Sequence, residues 1–490
     1  MNRHGGNAPD PASKDQTRLG PNKPSQPAID SALYTELPLD PPAPPVRPKR
    51  PAESGFVPIF LIDALALLLV VATGPAAWLW IDSSHAAPVV PVASPAASPS
   101  VDLVLHSSLP ASPSPEPLPS IVPGKSPQLV FGTGTWAKVD SLSVPIWGSA
   151  SAVLKDGRVL VVGGAAGASS QQASDLVSVF NPVSGHWTTA TSMLQPRAYP
   201  MAVTLSDGSV LVAGGSRNGQ PLDTAERYNP ANGTWVTAGR LNIPRSQGSL
   251  VVMADGRVLA TGGGIEGAPG WSSTASVEIY DPKTGRWTMG PPMMVARARH
   301  TATLLPDGEV LVSGGATTYH GEIGSVTATA ELYNPHSNQW RQAASMSIPR
   351  YVHQAALLTD GRVLVAGGWS FTANSDPSKS SAEIYDPHTD TWAATGSLAT
   401  ARAEFVMLRV GDGRVLAVDG IDANYRLLST SEVFDPPTGA WTASGKLQVA
   451  LMWPAAALLQ DGRVLIAGGA TDIGGSGRTA TCELYAPAPR

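Results

Sequence analysis

The sequence predicts an all-β fold, a seven-bladed β-propeller over residues 128–490, and three observations predict it. Seven tryptophans are each followed 21 residues later by a turn glycine: Trp136/Gly157, Trp187/Gly208, Trp235/Gly256, Trp287/Gly308, Trp340/Gly361, Trp392/Gly413 and Trp441/Gly462. Each glycine leads into a short apolar strand closed by a glycine pair or a near equivalent, as in Val159-Leu160-Val161-Val162-Gly163-Gly164. From turn glycine to next tryptophan the interval varies between 27 and 32 residues. A fixed interval with a variable remainder marks one supersecondary unit built repeatedly, with one loop free to change length.

Composition agrees. The 490 residues include 49 glycines and 46 prolines but only 14% charged residues, the usage of a turn-rich β protein joined to some unstructured chain. A net charge of -5 gives no reason to expect a nucleic-acid partner. The single cysteine, Cys482, excludes an intrachain disulfide framework and a cysteine-based zinc site.

Three segments precede the ring. Residues 1–55 are polar and proline-rich, ending near the cations Arg47, Lys49 and Arg50, and read as a disordered cytoplasmic tail. Residues 56–81 contain the apolar run Ile59 to Ile81, long enough at ~1.5 Å per residue to cross a bilayer as a transmembrane helix. The preceding cations place the N-terminus in the cytoplasm and the ring outside it. A cleaved signal peptide ending near Ala86 is the alternative. Residues 82–127, rich in proline, alanine and serine, form a semi-extended linker that holds the ring off the membrane.

Within the ring every unit repeats four strands. Ala202-Val203-Thr204-Leu205 meets an Asp-Gly turn, Val210-Leu211-Val212-Ala213 ends in Gly214-Gly215, Ala225-Glu226-Arg227-Tyr228 follows a variable loop, and the last strand opens with Trp235. Glycine supplies the positive φ of the hairpin turn, and the diglycine permits close backbone approach. Four short antiparallel strands per unit form one blade, and ring closure leaves few exposed edges.

These motifs resemble the kelch family. The resemblance rests on the diglycine, on Glu278-Ile279-Tyr280-Asp281-Pro282 and Glu383-Ile384-Tyr385-Asp386-Pro387, on the following Trp287 and Trp392, and on the spacing from Met346 to Arg350. It covers residues from about 130 to 490, with Asp419-Gly420 in place of one diglycine and Ala486 in place of the last Asp or Asn. The first unit, opening at Trp136, lacks a preceding Glu-x-Tyr strand, and the last, ending at Tyr485, lacks a following Trp strand. The two halves are expected to complete one blade between them.

With strands lettered a to d from the axis outward, the short a–b and c–d turns share one face, and the variable b–c loops share the other with the d–a loops. Loops displayed by a rigid scaffold carry function, so this second face is the candidate binding surface. Residues repeated in every blade are discounted. Arg197, Arg245, Arg297, Arg350 and Arg402 stand ten residues after their tryptophans and read as blade-to-blade hydrogen bonding, and the repeated Glu226, Glu278, Glu331, Glu383, Glu432 and Glu483 read the same way. Singular residues are better candidates: Tyr199, Gln247, Arg299, His300, His353, Glu404 and Trp453 near the axis, and Trp271, Tyr319, His320, Trp369, Phe371 and Tyr425 in the loops. Exposed aromatics there suit a protein partner or a sugar ring.

The kelch resemblance also opens an enzymatic alternative, a radical-copper oxidase of the galactose oxidase type, in which the adjacent Tyr319-His320 and His300 or His353 would supply ligands. Against it, Cys482 stands in the repeated strand of the closing blade, where other units carry Ala, Val or Ser. The expectation is therefore a binding module for a protein or carbohydrate, with no cofactor, no metal and no catalytic residues.

Overall fold

The computed structural model describes residues 134–167, 172–267, 270–320, 322–370 and 379–489. The expected tail (1–55), apolar segment (56–81) and linker (82–127) lie outside them. Among the described residues no helix is long and apolar enough to cross a membrane.

The first blade pairs Ala150–Val153, Val159–Val162, Val177–Asn181 and His186–Thr189 in antiparallel order, and the next five repeat that a-b-c-d order along the chain. The seventh joins the two ends: Ala455–Leu458, Val464–Ala467 and Cys482–Ala486 pair outward, and Thr135–Val139 adds the outermost strand with Trp136 opposite Tyr485. Each strand a contacts strand a of both neighbouring blades, so the sheets close into a ring of seven.

Strand b shows why the sequence reads as it does. All four residues of Val210–Ala213, Val363–Ala366 and their equivalents are buried, because each blade is covered on both sides by its neighbours. A strand buried on both faces needs a continuous apolar run instead of alternation. Strand d, at the rim, is mostly exposed.

The repeated tryptophan fixes the outer half of each blade. In all seven it lies opposite the aromatic residue of strand c, with ring centroids 5.0–5.2 Å apart. Its indole N–H also reaches the preceding blade: Trp235 donates to Thr191 O at 2.9 Å, Trp287 to Ala238 O at 3.0 Å and Trp392 to Ala344 O at 2.8 Å. The five arginines are staples of the same kind. The Arg350 carbonyl accepts from Gly315 N–H of one blade, while its guanidinium donates to Gly367 O, Ser381 O and Glu383 of the next. The carbonyl bond recurs at all seven blade junctions, with Ile146 and Leu451 replacing arginine at the two nearest the chain ends.

Candidate functional site

The residue two positions before each strand a adopts a left-handed backbone, with φ between 47° and 62° in all seven blades: Gly148, Tyr199, Gln247, Arg299, Val352, Glu404 and Trp453. Six of the seven carry a side chain in a conformation that disfavours Cβ, and Val352 is β-branched as well. The ring itself over-determines the strain. Tyr199 N–H donates to Gly148 O, Gly148 to Trp453 O, Arg299 to Gln247 O, Val352 to Arg299 O and Glu404 to Val352 O, at 2.9–3.2 Å. These five bonds pass from blade to blade around most of the axis, and the seven residues form a collar there.

The collar lies on the expected loop face. In every blade the residue before the collar position forms a bridge with the residue after the strand-b diglycine or its equivalent, from Trp147 with Ala165 to Met452 with Ala470. The d–a and b–c loops are thereby bonded to one another.

Collar side chains divide into two halves. On one side Arg299 Nε donates to Gln247 Oε1 at 2.8 Å, and its Nη1 reaches Glu404 Oε1 at 3.2 Å. On the other, Trp453 stacks on Trp147 at 5.1 Å, and Tyr199 meets both edge-on at 5.6 and 5.8 Å. Beneath them a cavity of about 550 Å³ runs along the inner strands past Ser149, Ser249, Thr301 and Leu408. Burial raises the Glu404 carboxyl above its ordinary range, opposed by the Arg299 charge and by the nearby Trp453 indole. Its Oε2 is buried and makes no hydrogen bond of normal geometry.

The sequence-predicted candidates separate here. Arg299, Glu404 and Trp453 converge on the axis with Tyr199 and Gln247. His300 and His353, one residue beyond the collar, are buried between blades, where their Nε2 atoms meet Thr261 Oγ1 (2.9 Å) and Thr301 Oγ1 (3.2 Å). Burial and neighbouring arginines hold the His300 ring neutral, its pKa pushed down to about 3, and hold His353 well below the ordinary value. Trp369, expected on an exposed loop, is 4% exposed: it forms a bridge with Tyr351 and packs on Tyr425 at 5.0 Å. That burial corrects the expectation for Trp369. Trp271, Tyr319 and His320 lie in loop hairpins Gly264–Gly267/Gly270–Ser273 and Ala316–His320/Glu322–Val326, described by backbone alone, and Phe371 falls outside the described residues. Trp147 is the functional candidate that sequence reasoning missed. Its signal was its place one residue before a collar glycine.

The kelch motif model matches residues 147–194, 197–242, 245–294 and 350–398. Human Kelch-like protein 23 is 28% identical over 269 residues, 47% of this chain and 38% of the relative. The F-box/kelch-repeat protein SKIP30 of Arabidopsis thaliana is 31% identical over 130 residues, 25% of this chain and 36% of the relative. Matches to the curated relatives span 16–38% of those proteins' own lengths. Among solved structures, a fungal alcohol oxidase of the AA5 family in complex with copper aligns with TM-score 0.59 at 18% identity, over 73% of this chain and 77% of that one. Four stretches of the chain match the kelch motif, and the fold is a seven-bladed β-propeller.

The alcohol oxidase raises the question of copper. Among the described residues no three His, Cys, Asp or Glu side chains gather as a metal site. Both axial histidines already face threonine hydroxyls between blades. Cys482 is buried in the closing blade's core, its thiol pushed up to about 11 by burial, the opposite of a thiolate ligand. The described donors do not fit a copper centre.

Proposed function

We propose that this protein is a binding module that captures a protein partner on the face carrying the collar and the b–c loops. One observation carries the reading. In a molecule built from seven repeated units, the collar holds Gly148, Tyr199, Gln247, Arg299, Val352, Glu404 and Trp453, a different residue in every blade although the backbone there is the same. A position with one backbone conformation and seven different side chains suits specific recognition. The collar backbone is fixed by blade-to-blade hydrogen bonds, so little ordering entropy is lost on binding. Part-exposed Trp453, Tyr199 and Arg299 are the residue types that anchor interfaces.

The location proposed with it is extracytoplasmic, the ring tethered through Ile59 to Ile81 with Arg47, Lys49 and Arg50 on the cytoplasmic side. Protease treatment of intact and opened membrane vesicles tests that orientation; digestion of the ring only in opened vesicles supports it if the vesicles are inside-out. For the binding reading, affinity capture is compared between the full chain, Glu404→Ala with Tyr199→Ala, and Lys155→Glu on the opposite face. A stoichiometric partner lost only with the collar variant supports it. A partner lost only with Lys155→Glu moves the interface to the other face.

A further inference from the structure

Beyond capture of a protein, we infer that the axial cavity is a site for a neutral polyhydroxylated ring, a pyranose sugar, gripped between the aromatic and polar halves of the collar. Charge is the first argument. Among the described residues, those lining the cavity include one cation of the Arg/Lys type and one carboxylate, Arg299 and Glu404, and they are paired with each other at 3.2 Å. His300 and His353 alongside are held neutral by burial. An ionic ligand would gain little there and would lose its hydration.

Polarity is the second. A wholly apolar ligand would cover Gln247, Arg299 and Glu404 without offering hydrogen bonds, and leaving such groups unmatched costs more than the apolar contact returns. A ligand with hydroxyls on its edge and C–H groups on its face satisfies both halves. Its face meets the indole and phenol rings of Trp453 and Tyr199, its edge the planar amide, guanidinium and carboxylate. The buried Oε2 of Glu404, without a hydrogen bond of normal geometry, is an acceptor that a small shift would offer to a ligand hydroxyl.

Size is the third. The cavity of about 550 Å³ falls within the ~300–1,000 Å³ usual for small-molecule sites. Below the collar its walls continue with Ser149, Ser249 and Thr301. Because collar N–H and C=O groups are largely bonded to one another, the side chains do the recognising.

The test is saturation-transfer NMR with tryptophan fluorescence on the full chain. Methyl glucoside, methyl galactoside and methyl mannoside serve as neutral probes, choline and acetate as charged ones, benzyl alcohol as an apolar one. At least one pyranoside is expected to bind and shift the tryptophan emission. Trp453→Ala and Gln247→Leu should each weaken that binding tenfold or more, and Lys155→Glu, on the opposite face, should leave it within twofold. Should Trp453→Ala fail to fold, Gln247→Leu carries the comparison. Silence from all three pyranosides, tighter binding of choline, acetate or benzyl alcohol, or pyranoside binding indifferent to Gln247→Leu would overturn the inference. Sugar silence with partner capture intact sinks only this site; sugar binding without any partner sinks only the protein-capture reading.

Discussion

Arg350 is fully buried, and its guanidinium satisfies two carbonyls of the next blade as well as Glu383 at 2.8 Å. Burying such a pair is costly, but removing one member leaves a naked charge and is costlier. Arg350→Met should therefore destabilise by about 3–5 kcal/mol, read as a fall in urea midpoint. Adding Glu383→Leu should return part of that loss. If the single variant is neutral, the staple is decorative. His300 acts by titration instead. Its folded pKa, pushed down to about 3, lies below the ordinary 6.5, so the neutral ring is favoured by folding. Stability from this group is present above pH ~6.5 and is lost as pH falls toward 3. Phe405 fills the same position one residue past the collar and packs on Gly367 as His300 packs on Gly262. His300→Phe should accordingly fold and show a flatter fall in melting temperature between pH 6.5 and 4.

At the scale of the strand, the outer pair c–d depends on its tryptophan. Trp287 is 8% exposed, packs on Tyr280 and donates to Ala238 O of the preceding blade. Trp287→Ala removes packing, a cross-strand aromatic pair and an inter-blade hydrogen bond together, and should cost about 3–5 kcal/mol. Trp287→Phe keeps the first two and should cost distinctly less in the same melt. These elements were legible in the sequence because their causes are local: a turn glycine, an apolar run buried on both faces, a tryptophan at fixed distance. The collar was legible for the opposite reason, since Arg299, Glu404 and Trp453 break the repeat where the loops converge. Trp369 misled because a loop aromatic after a diglycine looks exposed, and only tertiary pairing with Tyr351 and Tyr425 buries it. Trp147 escaped notice because Ile146 stands where other units have the marker arginine, so the register of that unit was hidden.

For the whole ring, the decisive place is the blade that joins the chain's two ends. Six units carry the strand-c glutamate, but only five carry the arginine that neutralises it. In the closing blade Leu451 occupies the arginine position, and Glu483 is left buried with Oε2 unpaired while Oε1 accepts Gln448 N–H at 2.9 Å. The first blade lost both partners together, with Ile146 opposite Ser178, so no charge is stranded there. In the closing blade the other acceptors remain: Thr481 stands where Ser381 serves Arg350, and the Gly468 carbonyl stands where that of Gly367 does. Burial raises the Glu483 carboxyl above its ordinary 4.5, with Lys138 on the facing strand and the Gln448 amide opposing the rise. A raised carboxyl pKa stabilises the protonated form, so this contribution is present below pH ~4.5 and lost as pH climbs through the folded value. The junction that holds the circle shut is thus weakened at neutral pH. Leu451→Arg supplies the missing cation and should raise the melting temperature at pH 7.5, with a smaller gain at pH 4.5. The gain should vanish in Leu451→Arg with Glu483→Gln, because the carboxylate that needs the guanidinium is gone. An equal gain at both pH values, or a loss at pH 7.5, would mean that the apolar packing of Leu451 outweighs the stranded charge.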